Sequence, residues 1–514
     1  MLFSALRARK RSEDKEENME EKISGRKPNY GFFSRLTYGV GEIFGGGCFV
    51  IINAFFLVFL TDALGMNPVL AGTIPMIGKI WDAITDPIMG NIVERTRSKY
   101  GPKRFYIMVG SIASAVTFVL MWINIHSASV WTNYVFYLVM YCLFNTGFTV
   151  LSVPYNGLLP DMMDDYAVRA KFSNMRMVFS TLGAAICGLV PGMLIKQTYD
   201  PSQYMTCMLL FGVLFFACSI AVFFGTWEKQ KEPVKMTLLE SFTQAASVFR
   251  SRSFLIFLGL YLFGQGGMDF ISGMAVYYVQ HALGAYPAYY IPILAVLMVA
   301  QLVGMLIFGP VMSKTSKKLA ILIAAPVRLV GVLGLLAFSH HGAPLVPILA
   351  LAALIGLGNA GSLTGIFAIM ADMTDVDELI TSIRRPGIVS SMATFIRKIA
   401  SGLSVAIIGF MLTAVHYNET LANAGLEQTA ATQHGIGICF VLAPAIMSAL
   451  LLVCAVLFPV TDKEFKMVQK DIARHKGTEQ SEASEEEKAA LKKVTGFDYE
   501  DLWNPLNATL KKKG

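Results

Sequence analysis

The chain has 514 residues, of which 54% are hydrophobic and only 15% are charged, and its formal net charge is +7. Soluble domains carry roughly a quarter charged residues, so this composition supplies too little polar surface for a soluble protein of this length. It argues against a soluble enzyme, a nucleic-acid-binding protein and a disordered scaffold, and it favours a protein that crosses a membrane many times.

Twelve apolar segments are long enough to span a bilayer, which takes about 20 mainly apolar residues. They are 36–60, 69–92, 104–124, 131–158, 174–195, 204–225, 254–281, 287–311, 319–339, 344–371, 387–415 and 435–459. The first segment follows a charged stretch that has no cleavage pattern of small residues, so we expect a retained helix and not a signal peptide. The sequence therefore predicts an all-α membrane protein with twelve transmembrane helices.

Lysine and arginine concentrate in the loops that follow the even-numbered segments. Arg95 and Arg97 follow the second segment and Arg384 and Arg385 follow the tenth, whereas Lys196 is the only clear cation in the loops after odd-numbered segments. Loops rich in lysine and arginine stay on the cytoplasmic side of a membrane. We therefore expect a multi-pass protein of the cell (inner) membrane with both termini in the cytoplasm.

The twelve segments divide into two sets of six. The longest polar stretch between segments separates the sets, and residues 90–96 and 160–165 of the first set resemble residues 309–315 and 371–376 of the second. A duplicated six-helix unit is the pattern of the major facilitator architecture. The predicted parts are a cytoplasmic N-terminal segment (1–33), two six-helix bundles (34–225 and 253–460), a cytoplasmic link (226–252) and a weakly ordered cytoplasmic tail (461–514).

The seven cysteines all lie inside apolar segments and none has metal-ligand spacing. Their pattern supports neither a disulfide framework nor a zinc site, and favours small packing residues. We expect no cofactor.

Three ionisable side chains share one stripe of the second segment. Lys79, Asp82 and Asp86 are spaced i, i+3 and i+7, and a charge within the membrane costs about 2.5–3.5 kcal/mol on insertion scales. Two carboxylates one turn apart repel each other unless a cation or a proton lies between them. The sequence predicts a cation site, with Na⁺ as the only metal, at Asp82 and Asp86. The alternative is an interhelical salt bridge to Lys79, Arg176 or Lys398.

Further polar residues lie inside other segments. Thr149, Ser152 and Asn156 share a face of the fourth segment, which suits either helix packing or a polyhydroxylated ligand. Arg176 lies near the cytoplasmic end of the fifth segment, where snorkelling to the interface is an alternative to a site role. Glu42, in the glycine-rich first segment, either pairs with a cation or takes part in coupling.

The longest motif carries a family resemblance. Ile80-Trp-Asp-Ala-Ile-Thr-Asp-Pro-Ile-Met-Gly90, followed by Thr96-Arg-Ser-Lys-Tyr-Gly101, resembles the glycoside–pentoside–hexuronide:cation symporters of the major facilitator superfamily. Val153-Pro-Tyr155 and the stretch from Ala371 to Glu378 extend the resemblance over roughly residues 34–460.

The resemblance implies roles for individual residues. It implies a coupling-cation site at Asp82 and Asp86, assisted by Thr149, with Thr85 beside the second acid. It places Arg176 and Lys398 at the substrate, and it implies a cytoplasmic gate at the stretch that holds Asp372, Asp375 and Glu378. Lys79 and Glu42 are candidates for coupling because they are ionisable residues inside apolar segments.

The sequence departs from the family's galactoside-binding pattern at three positions. Gly46 and Ser152 stand where that pattern has acids, and Asn156 stands where it has a sugar-stacking tryptophan. With two acids absent, Arg176 and Lys398 make the site more positive, which favours an anionic glycoside such as a hexuronide.

The sequence thus predicts a Na⁺- or H⁺-coupled symporter, not an enzyme, that imports a sugar or glycoside by alternating access. We expect it to function as a monomer in the lipid bilayer, without nucleic acid. The alternative is a major facilitator transporter of another cargo, which would be a lysolipid-like molecule or an exported drug.

Overall fold

The computed structural model describes residues 23–25, 28–125, 127, 129–163, 165–229 and 244–508. Most of the predicted N-terminal segment and the middle of the predicted link, with Lys231 and Lys235, lie outside the described residues. Within the described part the chain is almost entirely helical. One short antiparallel ladder pairs β1 (Ile23–Gly25) with β2 (Trp227–Lys229).

The described residues of the N-terminal half form seven α-helices. They are α1 (Phe32–Gly39), α2 (Glu42–Ile51), α3 (Pro68–Arg95), α4 (Pro102–Leu120), α5 (Val130–Met162), α6 (Tyr166–Leu194) and α7 (Pro201–Gly225). Two π-helical turns, Ile52–Phe56 and Phe59–Ala63, extend α2 so that α1, α2 and these turns form the first span. Proline begins α3, α4 and α7, where its fixed φ suits the first helical position and its missing amide is not needed.

The C-terminal half and the tail contain nine helices among the described residues. They are α8 (Arg252–Tyr277), α9 (Tyr290–Lys314), α10 (Lys317–Gly334), α11 (Leu345–Thr381), α12 (Pro386–Ala414), α13 (Glu419–Asn423), α14 (Ala430–Leu457), α15 (Asp462–His475) and α16 (Glu485–Thr495). A π-helical turn, Tyr278–Ala282, extends α8. Helices α8 to α12 and α14 are the six spans of this half.

Eleven helical segments of the described chain are long and apolar enough to cross a membrane. Helix α3, the predicted second span, has 28 residues but carries Lys79, Asp82 and Asp86 and two internal prolines, Pro75 and Pro87. Its length is sufficient for a twelfth span, and its charges are the reason that its hydropathy is low. The all-α prediction is confirmed.

The two halves repeat the same contact at one end of the bundle. In the N-terminal half Lys103, at the start of α4, binds Asp161, at the end of α5. In the C-terminal half Lys317, at the start of α10, binds Asp372, at the end of α11, at 2.5 Å. These acids belong to the two stretches that resemble each other in the sequence. The repeated motif therefore makes the same ion pair in each half.

The same end of the bundle carries the described ends of the link and the tail, and we call it the link side. There β2 supports the start of α4, since the Glu228 carboxylate accepts hydrogen bonds from the backbone amides of Lys103 and Arg104 at 3.1–3.2 Å. Burial raises the pKa of Glu228. Gly101 adopts φ +88° beside it, and a Cβ there would lie 2.3 Å from the Glu228 Oε2, so this position requires glycine.

The tail docks on the C-terminal half, so the expectation of weak order is wrong for its described part. The backbone amides of Trp503 and Asn504 donate to the carbonyls of Leu379 and Ile380 at 2.8 and 3.2 Å. The last carbonyls of a helix have no partner within the helix, and here the tail supplies donors at the end of α11. Val468 and Leu491 of the tail are fully buried against the same half.

Arg385 connects the tail, the link and α11. Its guanidinium donates to both carboxylate oxygens of Asp377 at 2.7 and 2.9 Å, to the Ser247 hydroxyl at 3.2 Å and to the Ala508 carbonyl at 3.3 Å. Both side chains of the ion pair are buried. A carboxylate that loses such a partner stays buried without compensation.

Replacing Arg385 by glutamine is expected to destabilise the C-terminal half, because breaking a buried ion pair from one side costs about 3–5 kcal/mol. Thermal unfolding of the detergent-purified protein, followed by intrinsic fluorescence, would measure the loss. Lys463→Gln is the control, since Lys463 pairs with Glu486 on the surface, where an ion pair contributes little. Equal melting temperatures for Arg385→Gln and the wild type would contradict the docking role of Arg385.

Candidate functional site

A cavity of about 800 Å³ lies between the two halves and extends toward the link side. Helices α3 and α5 form its wall in the N-terminal half, and α12 forms its wall in the C-terminal half, with Gln244 and Ala245 at its mouth. Its charged lining residues are Asp86, Glu94 and Lys398, and Asn156 and Thr394 add neutral polar groups. Three predicted site residues, Asp86, Asn156 and Lys398, therefore line the same cavity from three different helices.

The predicted acid pair lies at this cavity and is contacted from two other helices. The Thr149 hydroxyl of α5 donates to Asp82 Oδ1 at 2.9 Å and to Asp86 Oδ1 at 3.0 Å. Lys398 Nζ of α12 lies 2.9 Å from Asp82 Oδ2 and also binds Asp86 Oδ2. Asp82 is fully buried, whereas the Asp86 side chain is 29% exposed and lines the cavity.

Helix α3 is continuous but contains a proline directly after the acid pair. Pro87 follows Asp86 directly and has no amide to donate to the carbonyl of Ala83, one turn earlier. Ala83, Asp86 and Pro87 all line the cavity. The proline therefore leaves a backbone oxygen without its helical donor beside the two carboxylates, which is an oxygen-rich environment for a hard cation.

The interhelical salt bridge that was the alternative from the sequence is formed by Lys398 with Asp82 and Asp86. The other two candidate partners lie elsewhere in the described structure. Lys79 is buried with Nζ 3.3 Å from the centroid of the Phe49 ring, and Arg176 binds Glu42. The acid pair thus shares one internal ammonium ion and one hydroxyl, which together offset the repulsion between the two carboxylates.

Glu42, Arg176 and Asn156 form a second cluster in the N-terminal half. Arg176 Nε donates to Glu42 Oε2 at 2.6 Å and Nη2 donates to Asn156 Oδ1 at 2.5 Å. The guanidinium also lies 4.8 Å from the centre of the Tyr155 ring. Arg176 is therefore held within the bundle in this structure and does not snorkel. Of the three residues in the cluster, Asn156 lines the large cavity.

Three predicted site residues lie away from the large cavity. The Thr85 hydroxyl donates to the backbone carbonyl of Asp82 in its own helix at 3.2 Å. Gly46 faces α6, where an added Cβ would lie 2.5 Å from the Ser180 hydroxyl, so the glycine permits close packing of α2 on α6. Ser152 lines a much smaller space between α2, α5 and α7.

The predicted gate acids bind partners within their own half and the tail. Asp372 binds Lys317 at 2.5 Å, and Arg384 binds Asp375 at 2.9 Å and Glu378 at 2.8 Å. Lys476 of α15 also binds Glu378, at 2.6 Å. None of these contacts joins the two halves, so they do not close the cavity on the link side.

The opposite end of the bundle is closed by a network that sequence reasoning missed. Asp62 is 1% exposed and accepts hydrogen bonds from the hydroxyls of Tyr417 at 2.5 Å and Thr198 at 3.1 Å. The Thr61 hydroxyl contacts that of Tyr277 at 2.6 Å, and the Tyr417 hydroxyl lies 3.1 Å from His281 Nε2. Thr61 and Asp62 belong to the N-terminal half, and the tyrosines and the histidine to the C-terminal half. The signal in the sequence was that Asp62 follows the first apolar segment and His281 ends the seventh.

Asp269 of α8 is a second residue that sequence reasoning missed. Arg397 Nη2 donates to Asp269 Oδ1 at 2.7 Å, and both side chains are largely buried. The signal was present, because an acid inside a predicted span marks a functional position by default.

Comparisons with known proteins give a consistent result. A family model described as MFS/sugar transport protein matches residues 37–462. A symporter of unknown specificity from Synechocystis sp. is 30% identical over 267 residues, which cover 49% of this chain and about half (48%) of that relative. The glucuronide carrier protein homolog of Escherichia coli is 22% identical over 87% of this chain and 96% of its own length.

Two further matches come from other branches. The sodium-dependent lysophosphatidylcholine symporter 1-A of Danio rerio is 26% identical over 53% of this chain and 57% of its own length. The crystal structure of a bacterial homolog of the human lysosomal transporter Spinster superposes with a TM-score of 0.64 at 13% identity, and the match covers 89% of this chain and 100% of that one. At this identity the structural match shows the fold alone, which is the major facilitator fold.

At the predicted cation site, replacing Thr149 by valine is expected to weaken Na⁺ binding about fivefold, because the hydroxyl oxygen beside both carboxylates is lost as a ligand and such a polar contact contributes roughly 1 kcal/mol. Isothermal titration calorimetry with NaCl, at constant ionic strength, would measure the change. Thr146→Val is the matched control on the same helix, since Thr146 donates to the Cys142 carbonyl and accepts from Trp81. Equal weakening in both variants would contradict a specific role for Thr149.

Proposed function

We propose that this chain, which belongs to the MFS/sugar transport protein family, is a symporter that couples import of an acidic glycoside to Na⁺ or H⁺. The observation that carries the proposal is the acid pair Asp82–Asp86, contacted by Thr149 from one helix and by Lys398 from the other half. The family consists of membrane transporters, so the buried acids serve binding and coupling and not a chemical reaction.

The acid pair is the proposed cation site. A Na⁺ ion or a proton between the two carboxylates neutralises the same repulsion that Lys398 relieves in this structure. When the cation binds, the Lys398 ammonium no longer needs both acids and is free to bind a group of the substrate. Cation binding thereby raises substrate affinity, and the substrate must raise cation affinity by the same factor.

The proposed substrate is anionic because of the charges buried at and beside the cavity. Glu42, Asp82 and Asp86 carry three negative charges, and Lys79, Arg176 and Lys398 carry three positive ones. The Asp269–Arg397 ion pair is neutral as a whole, and Glu94 at the cavity is exposed to solvent. Addition of Na⁺ alone leaves one uncompensated positive charge in a medium of low dielectric constant. A carboxylate on the glycoside, as in a hexuronide, restores the balance, and a neutral sugar does not. The name of the Escherichia coli relative is consistent with this choice.

The proposed orientation places the link side in the cytoplasm, as the lysines and arginines of the even-numbered loops indicate. In that orientation the cavity opens inward and the Asp62 network closes the outer side. Alternating access then requires the two halves to rock, so that contacts between Asp62 and the C-terminal half break while the inner side closes. We propose an inner membrane location and function as a monomer.

A lysolipid-like cargo is the second candidate. The cavity carries apolar side chains on both walls, among them Val153, Met392 and Phe395, and one relative is named a lysophosphatidylcholine symporter. An acyl chain would lie against such a wall. Saturable binding of lysophosphatidylcholine at micromolar concentration, with no binding of either a glucuronide or a neutral glucoside, would favour this cargo over a sugar.

Replacing Asp86 by asparagine is expected to abolish concentrative uptake while leaving substrate exchange, because exchange does not consume the cation gradient. Uptake of a radiolabelled glucuronide into proteoliposomes with an imposed Na⁺ or pH gradient measures this, and the effective gradient identifies the ion. Glu94→Gln is the control, since Glu94 lines the same cavity outside the acid pair. Accumulation against a gradient by Asp86→Asn would show that the coupling site lies elsewhere.

Substrate charge provides an independent test. The purified protein is expected to bind p-nitrophenyl β-D-glucuronide at least tenfold more tightly than p-nitrophenyl β-D-glucoside in the presence of Na⁺, because the two probes differ only in the carboxylate. Lys398→Gln is expected to remove most of this preference. Equal affinity for the two probes would contradict an anionic substrate.

A further inference from the structure

Each half of the protein contains one acid–arginine pair between its first and its fifth span. Glu42 of α2 binds Arg176 of α6 at 2.6 Å, and Asp269 of α8 binds Arg397 of α12 at 2.7 Å. Helix α2 packs on α6 in the N-terminal half, and α8 packs on α12 in the C-terminal half. The two ion pairs therefore occupy corresponding places in the repeated unit.

The numbering supports this correspondence. Arg397 lies 221 residues after Arg176, and Asp269 lies 227 residues after Glu42. The repeated pairs at the link side, Lys103–Asp161 and Lys317–Asp372, have similar spacings of 214 and 211 residues. Four positions of the first half thus have a counterpart of the same charge in the second half, and they include both acidic and basic residues.

The C-terminal pair is incompletely satisfied. Asp269 Oδ2 and Arg397 Nε are both buried and have no hydrogen-bond partner among the described residues, while the side chains are 11% and 14% exposed. A buried polar atom without a partner costs roughly 1–3 kcal/mol, and more if it belongs to a charged group. An ion pair that only stabilises helix packing is destabilised by a buried acceptor and a buried donor without partners, here Asp269 Oδ2 and Arg397 Nε. A pair that binds a polar ligand needs both.

The position of Arg397 on α12 connects the pair with the cavity. Thr394 and Lys398, three residues before and one residue after Arg397, both line the cavity. Residues three apart on a helix share a face, so Arg397 lies one turn from Thr394 and next to the cavity lining, although its own side chain is buried and does not line the cavity in this structure. Lys398 at the same level binds the cation-site acids of the other half.

We propose that Asp269 and Arg397 form the C-terminal half of the substrate site and bind two neighbouring hydroxyl groups of the glycoside. One hydroxyl donates to Asp269 Oδ2 and the other accepts from Arg397 Nε. The pair is neutral as a whole, so it suits hydroxyl groups, and the carboxylate of the substrate goes to Lys398. This inference rests on the proposed function, because it assigns a second wall to the same site.

The assignment gives the substrate a contact in each half. A ligand shifts a conformational equilibrium only by its different affinity for the two states. A sugar held by the Glu42–Arg176–Asn156 cluster on one side and by the Asp269–Arg397 pair on the other binds best when the halves are close together. The substrate then favours the occluded state, through which both the inward and the outward transitions pass.

The test uses the purified full-length protein with p-nitrophenyl β-D-glucuronide and its single-deoxy analogues as probes. Asp269→Asn and Arg397→Lys are expected to lower the affinity for the parent probe at least tenfold, with Na⁺ affinity within twofold of the wild type. For the wild type, at least one deoxy analogue is expected to have a lower affinity than the parent probe. For Asp269→Asn, the same analogue and the parent probe are expected to have equal affinities. Arg474→Lys, in a tail ion pair with Asp471 and Glu487, is the control for a general effect of changing a buried arginine.

A charge-exchanged variant separates binding from structure. Asp269→Arg combined with Arg397→Asp keeps an ion pair between α8 and α12, and its melting temperature is expected to approach that of the wild type while its glucuronide affinity stays low. Restored affinity in this variant, or unchanged affinity in both single variants, would overturn the proposal and leave a structural ion pair. A wild-type protein that binds neither glucuronide nor glucoside would refute the proposed function and this inference together.

Discussion

Burial of charge in a medium of low dielectric constant is the constraint on which the structure depends. Asp82 and Asp86 lie one turn apart in α3, and their mutual repulsion requires a cation from outside that helix. Lys398 of the other half supplies it, and Thr149 adds a hydrogen bond to each carboxylate. The contact between the halves at this level is therefore electrostatic, and under the proposed function a coupling cation would take the place of the lysine. Such an exchange is how a bound ion can alter the contact between two otherwise rigid bundles.

The ends of the bundle differ in the partners that their acids have. On the link side Asp372, Asp375 and Glu378 bind cations of their own half or of the tail, so the halves are free to separate there. At the opposite end Asp62 accepts a hydrogen bond from the Tyr417 hydroxyl of the other half and is almost completely buried. The pairing of these acids therefore differs between the open end and the closed end. A transporter needs acids that can exchange partners in this way.

The duplicated six-helix unit explains why ion pairs occur twice. Lys103–Asp161 and Lys317–Asp372 repeat at the link side, and Glu42–Arg176 and Asp269–Arg397 repeat within the bundles. The acid pair in α3 has no such counterpart among the described residues of α9, which is apolar through its middle. The symmetric pairs suit a substrate that contacts both halves, and the asymmetric pair suits a cation held mainly by one. The tail adds a further asymmetry, since it stiffens only the C-terminal half.

The sequence by itself determined the all-α membrane fold and the stripe of Lys79, Asp82 and Asp86, because apolar length and helical spacing are local properties. Spacing also put Thr149 and Asn156 on one face of α5, where the structure has them. Partner choice was not local. From the sequence, three cations were possible partners for the acids. The packing of α12 on α3 brings Lys398 to them, whereas Lys79 contacts the Phe49 ring and Arg176 binds Glu42. The same holds for Thr85 and Gly46, which tertiary packing directs to a backbone carbonyl and to α6, and for the docking of the tail. Spacing along a helix fixes which residues share a face, but the neighbour that this face meets depends on how helices distant in sequence pack together.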